Sequence, residues 1–102
     1  KPDTITGIGD DIETPDAFSL SQNYPNPFNP STKINFSLDA GGQITLKVYN
    51  VIGKEVATLV DGYTIAGNHS VSFRADDLPS GVYLYKLVTP SGTKTGKMTL
   101  LK

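Results

Sequence analysis

Tyr24-Pro25-Asn26-Pro27-Phe28-Asn29-Pro30 places three prolines within seven residues, which removes three backbone donors and fixes three φ angles. A central β-strand cannot hold such a run, because each proline would open the ladder. Tyr24, Asn26 and Asn29 each precede a proline and are driven toward β or polyproline conformations. The segment therefore reads as a stiff, extended, non-helical connector. Phe28 is expected on display at a defined place, and Asn26 and Asn29 supply acceptors through Asx-type turns. A preset loop with one aromatic anchor suits packing or recognition.

Working outward, short alternating segments separated by Gly, Pro, Asn and Asp recur about every ten residues, an all-β rhythm. Strand A is read from Phe18 to Asn23. Strand B follows the loop from Thr32 to Leu38, with Ile34, Phe36 and Leu38 on one face and Lys33, Asn35 and Ser37 on the other. Strand C covers Gln43 to Val51, its Ile44, Leu46 and Val48 facing in. Gly53 supplies the dihedral freedom for a tight turn through Asn50–Lys54, and strand D runs to about Val60, before a looser Asp61–Gly67 connection. Strand E carries His69, Val71 and Phe73 inward. Strand F, Gly81 to Thr89, is apolar on nearly both faces and is expected to be central. Strand G, Lys94 to Leu101, turns Met98 and Leu100 in and Lys97 and Thr99 out. Seven short strands with hairpin-length connections predict an immunoglobulin-like antiparallel β-sandwich. Leu78-Pro79-Ser80-Gly81-Val82-Tyr83 is similar to a tyrosine corner, with Gly81 and Tyr83 in structural roles.

A chain of 102 residues is one domain's worth, and 37% apolar with 19% charged residues, ten glycines and seven prolines fits a turn-rich β domain rather than a disordered tract. There is no cysteine, so disulfides and thiolate metal sites do not arise. Residues 1–17 read as an acidic linker, with Lys1 against Asp3, Asp10, Asp11, Glu13 and Asp16, and with Ile5, Ile8 and Ile12 able to dock; residues 18–102 form the domain. Beyond Asp77 the charges are Lys86, Lys94, Lys97 and Lys102, a locally basic end. Four scattered lysines without an aromatic ladder do not make a nucleic-acid site. No apolar run approaches the roughly 18 residues of a membrane helix, so the chain is not expected to span a membrane, and no signal peptide is present. Lys1 is not an initiator Met, and the chain is expected to be a piece of something longer.

Catalytic chemistry finds no foothold. His69 is the only histidine, it falls in the inward register, and no base, nucleophile and orienting group assemble around it. Asp10-Asp11-Ile12-Glu13 lacks the ligand spacing of a calcium loop, and Gly7-Ile8-Gly9 lacks the flanking strand and helix of a phosphate loop. No enzyme activity, cofactor or metal is expected. Tyr49, Tyr63 and Tyr85 are candidates for sugar stacking, though cross-strand packing accounts for Tyr49 and Tyr85 equally well.

Leu20-Ser21-Gln22-Asn23-Tyr24-Pro25-Asn26-Pro27-Phe28-Asn29-Pro30-Ser31-Thr32 resembles the opening of type A C-terminal sorting domains of the bacterial type IX secretion system. Val48–Val56 is similar to that family's central hairpin, Leu78–Tyr83 to its late turn and Lys97–Lys102 to its terminal strand, so four motifs in order cover about residues 18 to 102. The resemblance implies a non-catalytic address label behind an N-terminal cargo domain. It further implies recognition by an outer-membrane translocon, cleavage in the linker by a sortase-type peptidase, and delivery through periplasm and outer membrane to the cell surface or medium. The residues expected to carry translocon recognition are Pro27, Phe28, Asn29 and Pro30 in the loop and Lys97, Leu101 and Lys102 in the last strand. The free edge of that strand would offer β-augmentation or self-association. The rival readings are an accessory module that binds glycans or braces a neighbour, and an assembly domain like that of flagellar hook-capping proteins.

Overall fold

The computed structural model describes residues 18–102. Expectations for the linker, for Asp10-Asp11-Ile12-Glu13 and for Gly7-Ile8-Gly9 lie outside the described residues. The described residues form seven strands: β1 (Phe18–Leu20), β2 (Ser31–Leu38), β3 (Gly42–Tyr49), β4 (Glu55–Thr64), β5 (Gly67–Arg74), β6 (Gly81–Thr89) and β7 (Gly92–Leu100). They build two antiparallel sheets, β1-β2-β5 and β4-β3-β6-β7, packed as an immunoglobulin-like sandwich.

Two-residue periodicity decides which side chains meet between the sheets. Ile34, Phe36 and Leu38 of β2, Ile44, Leu46 and Val48 of β3, Tyr83, Tyr85 and Leu87 of β6, and Met98 and Leu100 of β7 are all buried in one core, joined by Phe18, Phe28 and Phe73. β6 lies between β3 and β7, so its backbone is paired on both sides. Its outward Val82, Leu84 and Val88 remain exposed, since no further layer of the described residues covers that face.

Two boundaries differ most from the sequence reading, the other strand ends shifting by at most two residues. β1 ends at Leu20, because beyond it the chain leaves the ladder to start the proline loop. β4 continues through Asp61–Thr64, where a loose connection is expected from the residues. Register shifts between Leu46/Lys47 and Val48/Tyr49 put additional residues on β4. Such bulges break the alternation by which a strand is recognised.

The strands give the sandwich two ends. Phe18 pairs with Leu38 and its ring lies against Gly92, so the chain joins the domain where β7 begins. Phe28 bridges Leu100, where β7 finishes. At the usual rise per residue these ends are roughly 27 Å apart along β7.

Candidate recognition surface

The proline loop is bent, not extended. All three of its X–Pro bonds are cis. Its non-proline residues make the backbone bonds that the prolines cannot. Tyr24 bridges Lys33 of β2 through two reciprocal bonds of 3.0 Å, and Phe28 bridges Leu100 of β7 on the other sheet. The loop thus straddles the two sheets at the end away from Phe18. Pro30 fastens its far side, accepting from the Ala75 amide at 2.9 Å.

Beneath the loop sits a set of buried polar groups. Asn23 is 2% exposed and Thr32 3%. The Asn23 amide nitrogen Nδ2 donates to the Pro25 carbonyl at 3.1 Å and to Thr32 Oγ1 at 3.0 Å, while the Thr32 hydroxyl donates to the same Pro25 carbonyl at 2.9 Å. From β6, the Tyr85 hydroxyl donates to the Ser21 carbonyl at 2.9 Å and accepts from the Asn23 backbone at 3.1 Å. Burial pushes the Tyr85 hydroxyl pKa above its ordinary value, against the opposing effect of the Asn23 amide. The Tyr85 ring lies over Gly96, where an added Cβ would stand 2.2 Å from Cζ. Gly96 is therefore what admits that ring.

The outer edge of β7 is occupied where sequence reasoning expects it free. The Phe28 amide donates to the Thr99 carbonyl at 2.9 Å, and the Leu101 amide donates back to the Phe28 carbonyl at 3.0 Å. Asn26 Oδ1 accepts from the Thr99 amide at 3.0 Å, and Gln22 Nε2 donates to the Lys97 carbonyl at 2.8 Å. The expectation of an open edge at Lys97–Leu101 is thereby corrected, because the loop lies along it. Lys102 is held at the same end, its amide donating to Ser80 Oγ at 2.9 Å and its Nζ to the Asp76 carbonyl.

Residues 22–100 match the family of secretion system C-terminal sorting domains. The chain is a type IX sorting domain. No curated protein sequence matches it. Among solved structures it resembles PorZ, an essential bacterial surface component of the type-IX secretion system of Porphyromonas gingivalis, at 22% identity with a TM-score of 0.55. The match covers 85% of this chain and 12% of PorZ, and at that identity it speaks for the shared fold alone.

In this sorting domain the loop and the last strand, far apart in sequence, form one surface. Pro27, Asn29, Lys97, Leu101 and Lys102 are exposed on it and Pro30 is half-buried. The expectation of a displayed Phe28 is corrected: it is 2% exposed and tilts against Phe73 with ring centroids 6.0 Å apart, because its single-residue bridge turns the ring into the gap between the sheets. The Tyr83 hydroxyl donates to the Pro79 carbonyl at 2.7 Å, pinning the turn that leads into β6 at Gly81. The three tyrosines considered for sugar stacking form no single platform: Tyr85 points into the core, whereas Tyr49 and Tyr63, the latter opposite Gln43, lie at opposite ends of the outer face of the four-stranded sheet. Tyr85 is buried, Tyr49 is half-buried with Lys86 Nζ 5.2 Å from its ring centroid, and Tyr63 is exposed on β4. His69 stacks on Phe36 at 5.2 Å and its Nε2 meets the Ile65 carbonyl at 2.8 Å. Among the described residues, no three His, Cys, Asp or Glu side chains converge for a metal, and no helix is long and apolar enough to cross a membrane.

Sequence reasoning missed Gln22, Asn23, Thr32 and Gly96. Thr32 had a legible signal: it shares the inward register of Ile34 and Phe36, where a hydroxyl requires a partner.

Proposed function

We propose that the domain is a removable, non-catalytic export address whose recognition surface is the end of the sandwich remote from Phe18. The reciprocal bonds between Phe28 and the Thr99–Leu101 segment carry this reading. They join the loop and the last strand into one rigid unit, so an outer-membrane translocon meets Pro27, Asn29, Pro30, Lys97, Leu101 and Lys102 together. Phe28 contributes from beneath, by fixing the loop. A cargo attached ahead of the domain joins at the other end. Residues 1–17 are the segment in which a sortase-type peptidase would cut, after which cargo is released or anchored at the surface.

The test fuses residues 1–102 behind a periplasmic reporter in a bacterium that has the type IX pathway. Deleting residues 18–102 should leave the reporter in the periplasm, and deleting Leu101 and Lys102 should cut surface delivery by about tenfold or more, as loss of a terminal anchor would. Equal delivery by the shortened and complete fusions overturns the terminal-strand mechanism. Cleavage is checked separately: replacing residues 1–17 by a Gly/Ser linker should leave uncleaved precursor at the surface.

A further inference from the structure

Tyr24 is the exposed aromatic of the loop, at 81% exposure, and its backbone is held on both sides. Its amide and carbonyl each bond Lys33 at 3.0 Å, the residue before it is buried Asn23, and the carbonyl after it, at Pro25, takes two buried donors. A lone exposed tyrosine is ordinary on a protein surface. What sets this one apart is the machinery beneath it: Asn23, Thr32 and the Tyr85 hydroxyl are desolvated to fix the backbone that carries it. Among the described residues, the Tyr24 hydroxyl has no hydrogen-bond partner and its ring no aromatic neighbour. The pedestal thus presents a side chain that the fold itself does not use.

Bridge partners in an antiparallel pair point to the same face, so Lys33 stands beside the Tyr24 ring. Lys33 is exposed and makes no ion pair among the described residues. The shallow groove around the two is lined by Pro25, Asn35 and Ser72 and contains no carboxylate. A prearranged aromatic with two side-chain torsions loses little entropy on being gripped, which is why tyrosine serves well as a binding hot spot. The unneutralised ammonium beside it calls for an acid on the partner.

We infer that Tyr24 and Lys33 form the specificity-determining anchor of the recognition surface. It docks into a pocket of the export receptor that accepts an aromatic ring and carries a carboxylate at its rim. This rests on the export reading above and adds to it which residues are gripped.

The experiment uses the same reporter fusion, with surface delivery and the melting point of the purified fusion read for each variant. Tyr24→Ala and Lys33→Glu should each lower delivery about tenfold or more, while Tyr24→Phe, Lys33→Arg and the remote control Tyr63→Ala deliver like wild type. Melting points should stay within a few degrees, as exposed sites allow. Wild-type delivery by Tyr24→Ala overturns the inference. Should Tyr24→Ala melt early, Lys33→Glu decides in its place, and normal delivery by that variant overturns the inference too. If Tyr24→Ala abolishes retention on a polysaccharide affinity gel yet leaves delivery unchanged, the residue is a sugar platform and the inference falls. If wild type and the deletion of residues 18–102 are delivered equally, it is the export reading that fails.

Discussion

The proline loop and the β3–β4 turn stand at the same end of the sandwich but are held by opposite means. In the turn, Asn50 does nearly everything: its Oδ1 accepts from the Ile52 and Lys54 amides at 3.1 and 3.0 Å, and its carbonyl accepts from Gly53, which takes the left-handed φ of +87°. Five consecutive residues suffice, and Val51 and Ile52 are left bare at 72% and 82% exposure. The loop, by contrast, relies on partners from β2, β6 and β7, with Gln22 and Lys97 lying 75 residues apart in sequence. A turn built from its own residues can change without disturbing the core. A loop built from distant ones is part of the core.

That contrast can be broken most directly at Phe28. Phe28→Ala should cost about 3–5 kcal/mol, the usual range for emptying a buried aromatic site, and lower the melting point by roughly 15 °C or more. A loss of only a few degrees in a thermal melt would mean that the loop is peripheral after all. Next comes Gly96→Ala, whose Cβ would meet the Tyr85 ring at 2.2 Å. Displacing that ring should cost about 3 kcal/mol by overpacking, measured by denaturant titration, and should loosen Asn23 as seen by amide exchange.

Tyr85→Phe should cost about 1–3 kcal/mol, since the Asn23 amide and the Ser21 carbonyl lose a buried partner. It also sharpens the comparison through pH. The folded state favours the protonated hydroxyl, so its contribution is complete below the ordinary pKa of 10.0 and is lost as pH rises through the higher folded value. Wild type should show a falling melting point over that alkaline range, and Tyr85→Phe a shallower fall. At the β3–β4 turn the effects are smallest. Gly53→Ala should cost about 1–2 kcal/mol for its left-handed conformation, and Ile52→Ser should stay within about 0.5 kcal/mol.

The same division explains how much could be read from the residues. The alternation of Ile34, Phe36 and Leu38, or of Ile44, Leu46 and Val48, announces β2 and β3 because each strand's pattern is its own. Asn50 and Gly53 announce their turn for the same reason. The end of β4 is hidden by composition, since Asp61 and Gly62 read as loop residues yet pair in regular register with Thr45 and Ile44. The loop illustrates the other limit. Prolines say that Tyr24–Pro30 cannot be a central strand, but nothing within the segment says which aromatic turns inward. That choice is made by Leu100 and Lys33, whose pairing puts Phe28 in the core and Tyr24 in solvent.

The cover that Gln22, Asn26 and Phe28 draw over β7 also bears on life in crowded transit. An edge strand with vacant amides invites like molecules to stack into ribbons that grow without limit. With Thr99 and Leu101 already satisfied inside the same molecule, copies travelling side by side at high concentration have less to zip together. The residues that cover this part of β7 therefore also remove one stretch of sheet edge on which another copy could stack.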